Sequence, residues 1–312
     1  MRDMSKLRQA LHEYLAVRRA LGFRLKEQAR ELHNFVDFAE EEKASFITRD
    51  LALRWATQSP HAQPVSWAIR LGFVRRFAEY RSATDLRTEI PPPGVLPHRY
   101  RRKPPYVYSE EDIQKLLEAA KQLRSPRGLR ATTFSTLFGL LAVVGMRISE
   151  CLTLDQQDVD LAEGTLHIRH SKFGKSRLVP LHPSTRDVLK HYATLRDRTF
   201  HRPKDTSFFV SERGKRLSGS YVHDTFLKLS RRIGLRGPRA RHGPRIHDLR
   251  HGFAIRTLLQ LYRKGADVER GLPVLATYLG HVGVASTYWY LTATPELLRL
   301  ASGRRDRKEV AQ

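Results

Sequence analysis

Apolar side chains recur three or four positions apart through the first eighty residues, the spacing of a helix with one buried face. Leu7, Leu11, Leu15 and Leu21 mark a helix over 4–21, with Gly22 placed to stop it. Leu25, Leu32, Phe35, Val36 and Ala39 predict a second over about 25–42. Thr48 is a candidate cap for a third carrying Leu51 and Trp55, and a fourth follows Pro64 with Trp67, Leu71, Val74 and Phe77 inward. The pattern then lapses over IPPPGVLPHRYRRKPP (90–105), a stiff, Pro-rich stretch that reads as a linker. Periodicity resumes behind the helix-start signature Ser109-Glu-Glu-Asp112, with a buried helix over about 131–144. Two short β runs at 165–169 and 177–181 flank a turn containing Lys172, Gly174 and Lys175. Further helices fit 184–198 with Ser184 as cap, 220–233, 247–263 and 273–280, and a short one follows Pro295. The fold class expected is mainly α with a small antiparallel sheet, in domains 1–90 and 106–312 joined by a linker at 91–105.

Charge narrows the partners. The 312 residues carry 56 Lys and Arg against 32 Asp and Glu, a formal charge of +24. A surplus of that size is costly to hold together unless a polyanion compensates it, and nucleic acid fits best. Arg70, Arg75, Arg76 and Arg81 lie off the apolar face of the fourth helix. Arg99, Arg101, Arg102 and Lys103 lie on the linker, where they suit a strap along a phosphate backbone. A single cysteine, Cys151, excludes an intramolecular disulfide and a Cys-rich zinc site, and its apolar surroundings read as core packing. The longest apolar run, 137–145, is far short of the roughly 20 residues that span a bilayer. The expectation is a soluble protein of a reducing compartment, cytoplasmic and associated with the nucleoid.

Four short segments carry candidate chemistry, and each has a plain structural reading beside the functional one. Gly145-Met-Arg147-Ile-Ser-Glu150 puts a guanidinium at the mouth of a core, or is only a helix C-cap followed by a surface arginine. Lys172 and Lys175 sit in a turn, where lysines are ordinarily just solvated. His247-Asp-Leu-Arg250-His251 places His247 and Arg250 on one helix face, as a phosphate clamp or an exposed basic patch. Leu279-Gly280-His281 precedes Tyr288-Trp289-Tyr290. In a strand the two tyrosines would share a side; in a helix they would point about 200° apart, one buried and one presented.

Together, two arginines, two histidines, a lysine and a tyrosine make a kit for metal-free strand exchange at phosphorus. A tyrosine attacks the phosphodiester and conserves its energy in a covalent bond. Fixed guanidiniums neutralise charge in the transition state, and a lysine or histidine protonates the leaving 5′ oxygen. No Asp/Glu pattern for two divalent metals appears, which counts against a metal-dependent transposase or nuclease. No metal or other cofactor is expected.

The order GMRISE, hairpin lysine, HDLRHGFA, LGH and terminal tyrosine resembles the tyrosine recombinase (phage integrase) family along essentially the whole chain. The resemblance implies that Arg147 and Arg250 bind the scissile phosphate and that Glu150 supports the first of them. His247 would take an acid–base and phosphate-binding role, and His281 would hydrogen-bond the phosphate. Lys172, five residues before Arg177 in KxxxxRLVPL, would be the general acid rather than Lys175. Tyr290, nine residues after His281, would be the nucleophile and Tyr288 a packing neighbour. Arg250 and His281 stand 31 apart, a longer interval than in compact members, and the excess is expected to lengthen a loop over 262–273.

The family further implies a C-shaped, two-domain clamp on double-stranded DNA, with the helical domain 1–90 as a SAM-like core-binding module. It implies paired inverted half-sites and a synapse of four protomers, of one or related recombinases. The reaction would run through 3′-phosphotyrosine intermediates and a Holliday junction, without ATP. The ending STYWYL leans toward members that serve transposons and other mobile elements. A type IB topoisomerase is the nearest competing enzyme, although the short helical N-terminal domain, the HxxR form and LGH speak against it. A non-catalytic DNA-binding relative would share the charge but has no need of every expected site residue.

Overall fold

The computed structural model describes residues 5–97, 104–169, 176–200, 205–240, 242–292, 294–300 and 302. The chain divides into two compact units, 1–103 and 104–312. The first holds α1 (Lys6–Ala20), α2 (Lys26–Glu41), α3 (Arg49–Thr57) and α4 (Pro64–Ser82). Local chemistry sets their starts. The Ser5 and Thr48 hydroxyls accept from the Arg8 and Leu51 amides, and Pro64 occupies the first turn of α4, where no N–H is missed. Their apolar faces meet in one core containing Leu11, Leu32, Phe35, Trp55, Val74 and Phe77. Side chains of this class each stabilise by roughly 1.5–3 kcal/mol when buried. Two expected core residues differ. Leu21 caps α1 and is exposed, because the helix ends one residue earlier. Trp67 is half-buried, with its indole N–H donating to the Ser59 carbonyl at 2.9 Å.

The second unit opens with α5 (Glu110–Lys121), where Ser109 and Asp112 exchange side-chain-to-backbone hydrogen bonds in a full capping box. Next comes α6 (Leu129–Val144), with Leu129, Phe134, Leu137, Phe138, Leu141 and Val144 buried, then α7 (Ile148–Thr153). The strands β1 (Val159–Asp160), β2 (Thr165–Ile168) and β3 (Arg177–Pro180) form an antiparallel sheet in that order, with Leu166 opposite Val179 and Ile168 opposite Arg177. The two-residue β1 is too short to show a period. After the sheet come α8 (Pro183–Thr199), α9 (Gly219–Arg232), α10 (Ile246–Arg263), α11 (Val268–Leu279) and α12 (Ala285–Tyr288), then a 3-10 turn Trp289–Thr292 and a helical stretch at 295–300. The cap of α8 is His182, not Ser184: its Nδ1 accepts from the Ser184 amide.

The expected loop over 262–273 is largely helix. Asp267 accepts from the amides of Glu269 and Arg270 and starts α11 five residues before the expected 273. Val268, Leu272, Leu275 and Leu279 then bury one face, and this packing carries the helix through Pro273, which lies inside it rather than at its start.

Two cores result. One surrounds α6 and includes Phe134, Phe138, Leu141, Val179 and Phe226. The other joins α10 and α11 to the C-terminal segment through Ile255, Leu258, Leu275, Leu279, Tyr290 and Leu297. Cys151 is buried in the first, and desolvation pushes its thiol pKa up, as expected of a packing residue. Among the described residues no helix is long and apolar enough to cross a membrane.

Candidate active site

The end of α11 organises the site. A helix leaves its last carbonyls without intrahelical partners, and here three successive ones each receive a guanidinium. Arg177 Nε donates to the Tyr278 carbonyl at 2.7 Å, Arg250 Nη2 to Leu279 at 2.7 Å and Arg147 Nη2 to Gly280 at 2.9 Å. Gly280 turns the chain with φ +66°, and a Cβ there would lie 2.8 Å from Arg177 Nη1 and 3.5 Å from Arg147 Nη1. Only glycine lets the backbone pass this close while adopting a left-handed conformation.

The end of α6 makes the matching contribution. Gly145 caps that helix with φ +65°, where a Cβ would run into the Phe253 ring, and its carbonyl accepts from Arg250 Nη1 at 2.8 Å. Arg250 therefore bridges two helix C-termini. Burial is the main cause that lowers its pKa to about 10, followed by the nearby Arg147, while Tyr290 and Glu150 oppose the shift. It remains a cation at neutral pH.

Glu150 joins the other two arginines. Its carboxylate accepts from Arg147 Nη1 at 2.7 Å and from the Arg147 amide at 2.9 Å, and takes both Arg177 terminal nitrogens at 3.1 and 2.9 Å. Two guanidiniums thus share one buried carboxylate, and with Arg250 beside them the cluster keeps a net positive charge.

His281 follows Gly280. Its Nδ1 is 2.8 Å from Thr287 Oγ1, and its ring lies parallel to that of Tyr290 with centroids 6.2 Å apart. Tyr290 is 1% exposed and Tyr288 51% exposed. The helical alternative for this pair holds, but Tyr288 is the presented residue and not a packing neighbour. The Tyr290 hydroxyl lies 2.9 Å from Nδ1 of His251, a buried residue whose ring meets that of His247 edge-on at 4.6 Å. His247 keeps one side open to solvent, yet desolvation by the protein around it pulls its pKa to about 4. The positive charges of Arg250, Arg147 and Arg245 add to that shift and Asp248 opposes it.

The structure therefore gathers Arg147, Glu150, His247, Arg250, His281 and Tyr290. Lys172 and Lys175 lie outside the described residues, as do Arg99, Arg101, Arg102 and Lys103. The arginines of α4 are engaged within their own unit. The Arg70 guanidinium sits 4.1 Å over the Trp55 ring and pairs with Glu31 at 3.4 Å. Arg75 donates to the Pro91 and Pro92 carbonyls at 2.7 and 3.0 Å, and Arg76 lies 5.5 Å from the Phe73 ring centre. Arg177 and His251 are the site members that sequence reasoning passed over. His251 stands four residues after His247, on the same helix face, which is the one local signal for it.

Comparison with known proteins identifies the family of the chain. The sequence model of the Phage integrase family matches residues 107–296. A putative integrase/recombinase of Sinorhizobium fredii, y4rB, is 50% identical over 311 residues, 98% of each chain. Tyrosine recombinase XerD of Caulobacter vibrioides is 30% identical over 89% of this chain and 84% of its own. In fold, the chain resembles a lambda integrase solved as a tetramer bound to a Holliday junction, with a TM-score of 0.62 and 17% identity over 91% of this chain and 76% of that one. With the family model covering more than half of the residues and y4rB half-identical along nearly the full length, the chain belongs to the phage integrase family, the tyrosine site-specific recombinases.

Proposed function

We propose that the chain cuts and rejoins double-stranded DNA by passing a strand to Tyr290 as a 3′-phosphotyrosine. The observation that carries this reading is the convergence of Arg147, Arg177 and Arg250 on carbonyls 278–280, immediately before His281 and within reach of Tyr290. Fixed donors held by neutral carbonyls keep their charge available for the non-bridging phosphate oxygens, where negative charge builds in the transition state. Arg147 and Arg250 take that role, with Glu150 holding Arg147. His247 and His281 contact the phosphate. An arriving anion favours the protonated form of His247, so binding draws a proton onto a ring that is neutral in the free protein. Lys172 donates the proton to the departing 5′ oxygen. The positive charge comes from guanidiniums, so the chemistry runs without metal, and the phosphotyrosine conserves the bond energy, so it runs without ATP.

The helical unit ending near residue 90 serves as a DNA-binding module, and the basic stretch with Arg99, Arg101, Arg102 and Lys103 follows the backbone. Arg76, with Arg70 and Arg75 in supporting positions, lies on the same unit. Four protomers on paired inverted half-sites exchange strands through a Holliday junction, at the nucleoid and in the service of a mobile element. The test is covalent capture on a nicked suicide duplex selected by the wild-type protein from a randomised library. Tyr290→Phe is expected to bind and form no adduct, and Tyr288→Phe to retain cleavage. Lys172→Ala should be nearly inactive on ordinary DNA and rescued by a 5′-bridging phosphorothiolate, whose leaving group needs no proton; rescue of Lys175→Ala in its place would move the general acid. Plasmid relaxation without recombinant products would instead assign the chain a topoisomerase activity.

A further inference from the structure

The contact between Tyr290 and His251 is a placement the roles above do not use. A buried tyrosine hydroxyl requires a partner, but many neutral acceptors would serve. Here the partner is an imidazole nitrogen at 2.9 Å, on the helix turn that also carries Arg250. His251 is itself buried, held edge-on between the rings of His247 at 4.6 Å and Trp289 at 5.5 Å, so its ring has one orientation toward the phenol. We propose that His251 is a further catalytic residue, the group that takes the proton of Tyr290 when its oxygen attacks phosphorus.

The inference rests on the reading of Tyr290 as the nucleophile. In the forward step the Tyr290 Oη–P bond forms and the P–O5′ bond breaks. The phenol proton passes to His251 Nδ1, and the departing 5′ oxygen receives its own proton from the separate general acid. In rejoining, the 5′ hydroxyl attacks and gives its proton back to the separate general acid, the P–O5′ bond forms, the Oη–P bond breaks and His251 returns its proton to the phenolate. Positioned proton transfer of this kind contributes roughly 10²- to 10⁴-fold in rate. It requires the tautomer with hydrogen on Nε2, leaving Nδ1 free to accept. The surroundings suit the change in charge. Tyr290 and Arg250 interact electrostatically, so negative charge developing on the phenol oxygen faces a fixed guanidinium. His247, by contrast, faces the open side of the cluster, where substrate arrives.

The test uses the full chain and the captured nicked duplex. His251→Asn keeps an acceptor near the position of Nδ1 but cannot carry the proton. It should bind the duplex normally and form the Tyr290 adduct about 10²-fold more slowly or worse. Replacing Tyr290 by 2,3,5-trifluorotyrosine, a phenol that ionises near neutrality, should shrink that deficit to within about tenfold, since the nucleophile then sheds its proton unaided. Independently of any variant, ¹⁵N resonances of the histidine-labelled wild-type protein should show the His251 proton on Nε2. Cleavage by His251→Asn within about threefold of wild type overturns the proposal, as does a deficit that fluorination leaves unchanged or a proton found on Nδ1. Failure of the parent reading looks different: wild-type protein would then capture no duplex, or would attach through a residue other than Tyr290.

Discussion

In the N-terminal unit, arginines lie against carboxylates. Arg8 bonds Asp37 at 2.7 Å and also Glu40, Arg54 bonds Asp50 and Glu42 at 2.9 and 2.7 Å, and Arg81 and Arg87 share Asp85. At the end of α11, Arg147 and Arg177 share Glu150, and all three arginines, Arg250 included, donate to peptide carbonyls. The first arrangement cancels charge, and where the pair is exposed, as with Arg54 and Asp50, it contributes little. The second fixes geometry while leaving charge uncancelled, which is what an arriving phosphate can use. Arg75 of the first unit also donates to carbonyls, so what marks the end of α11 is the gathering of three guanidiniums on consecutive carbonyls with a single carboxylate bonded to two of them.

The contrast breaks most severely at Arg250. Arg250→Ala should lower single-turnover cleavage by on the order of 10³-fold, the upper range for one transition-state donor. Arg250→Lys should fare little better, because an ammonium cannot span the Gly145 and Leu279 carbonyls as a planar fork does. Next in size is Gly280→Ala. The left-handed backbone costs about 1–2 kcal/mol of stability for a residue with Cβ. Displacing the two neighbouring guanidiniums should cost about 10²-fold in cleavage, the scale of a 1 Å misplacement. A thermal melt and a cleavage time course measure the two losses separately.

Arg70→Ala sharpens the other side of the comparison. It removes a cation–π contact and an ion pair in the first unit and should cost roughly 1–2 kcal/mol of stability. Cleavage measured per bound protein should be unchanged; a loss of rate would show that this arginine also reaches the chemistry. The smallest effect concerns His247. Its folded pKa of about 4 lies below the ordinary 6.5, so below pH 6.5 the unfolded chain binds a proton that the folded chain refuses. Its contribution is whole above pH 6.5 and is lost as pH falls toward 4. Between pH 7 and 5 the melting temperature of wild type should therefore drop further than that of His247→Gln. Parallel curves would contradict the depressed pKa.

How far the sequence is legible follows from the range of each interaction. Helices α1 to α6 declare themselves because caps such as Thr48 and Ser109 and stripes such as Leu32, Phe35 and Val36 act within a few residues. The start of α11 misleads locally: Gly271 and Pro273 read as breakers, and only the packing of Val268 and Leu272 against the second core overrules them. Arg177 has no local mark at all. Its acceptors are Glu150 and the carbonyl of Tyr278, on segments that no period or spacing joins to β3. His251 is visible as a letter in HDLRH, but its meaning comes from a hydroxyl 39 residues onward.

The row of carbonyls at 278–280 also fixes when the protein becomes an enzyme. The bonds it closes reach back 101 residues to Arg177, 133 to Arg147 and 29 to Arg250. A growing chain that has emerged only as far as α10 holds all three arginines, with Glu150 and the Gly145 carbonyl to bond them, but lacks the three carbonyls that fix them side by side. Such long closures are among the slower events of folding. A polypeptide that stops before α11 therefore has the guanidiniums without this row of acceptors, and the cradle is completed only once residues 278–280 have been made.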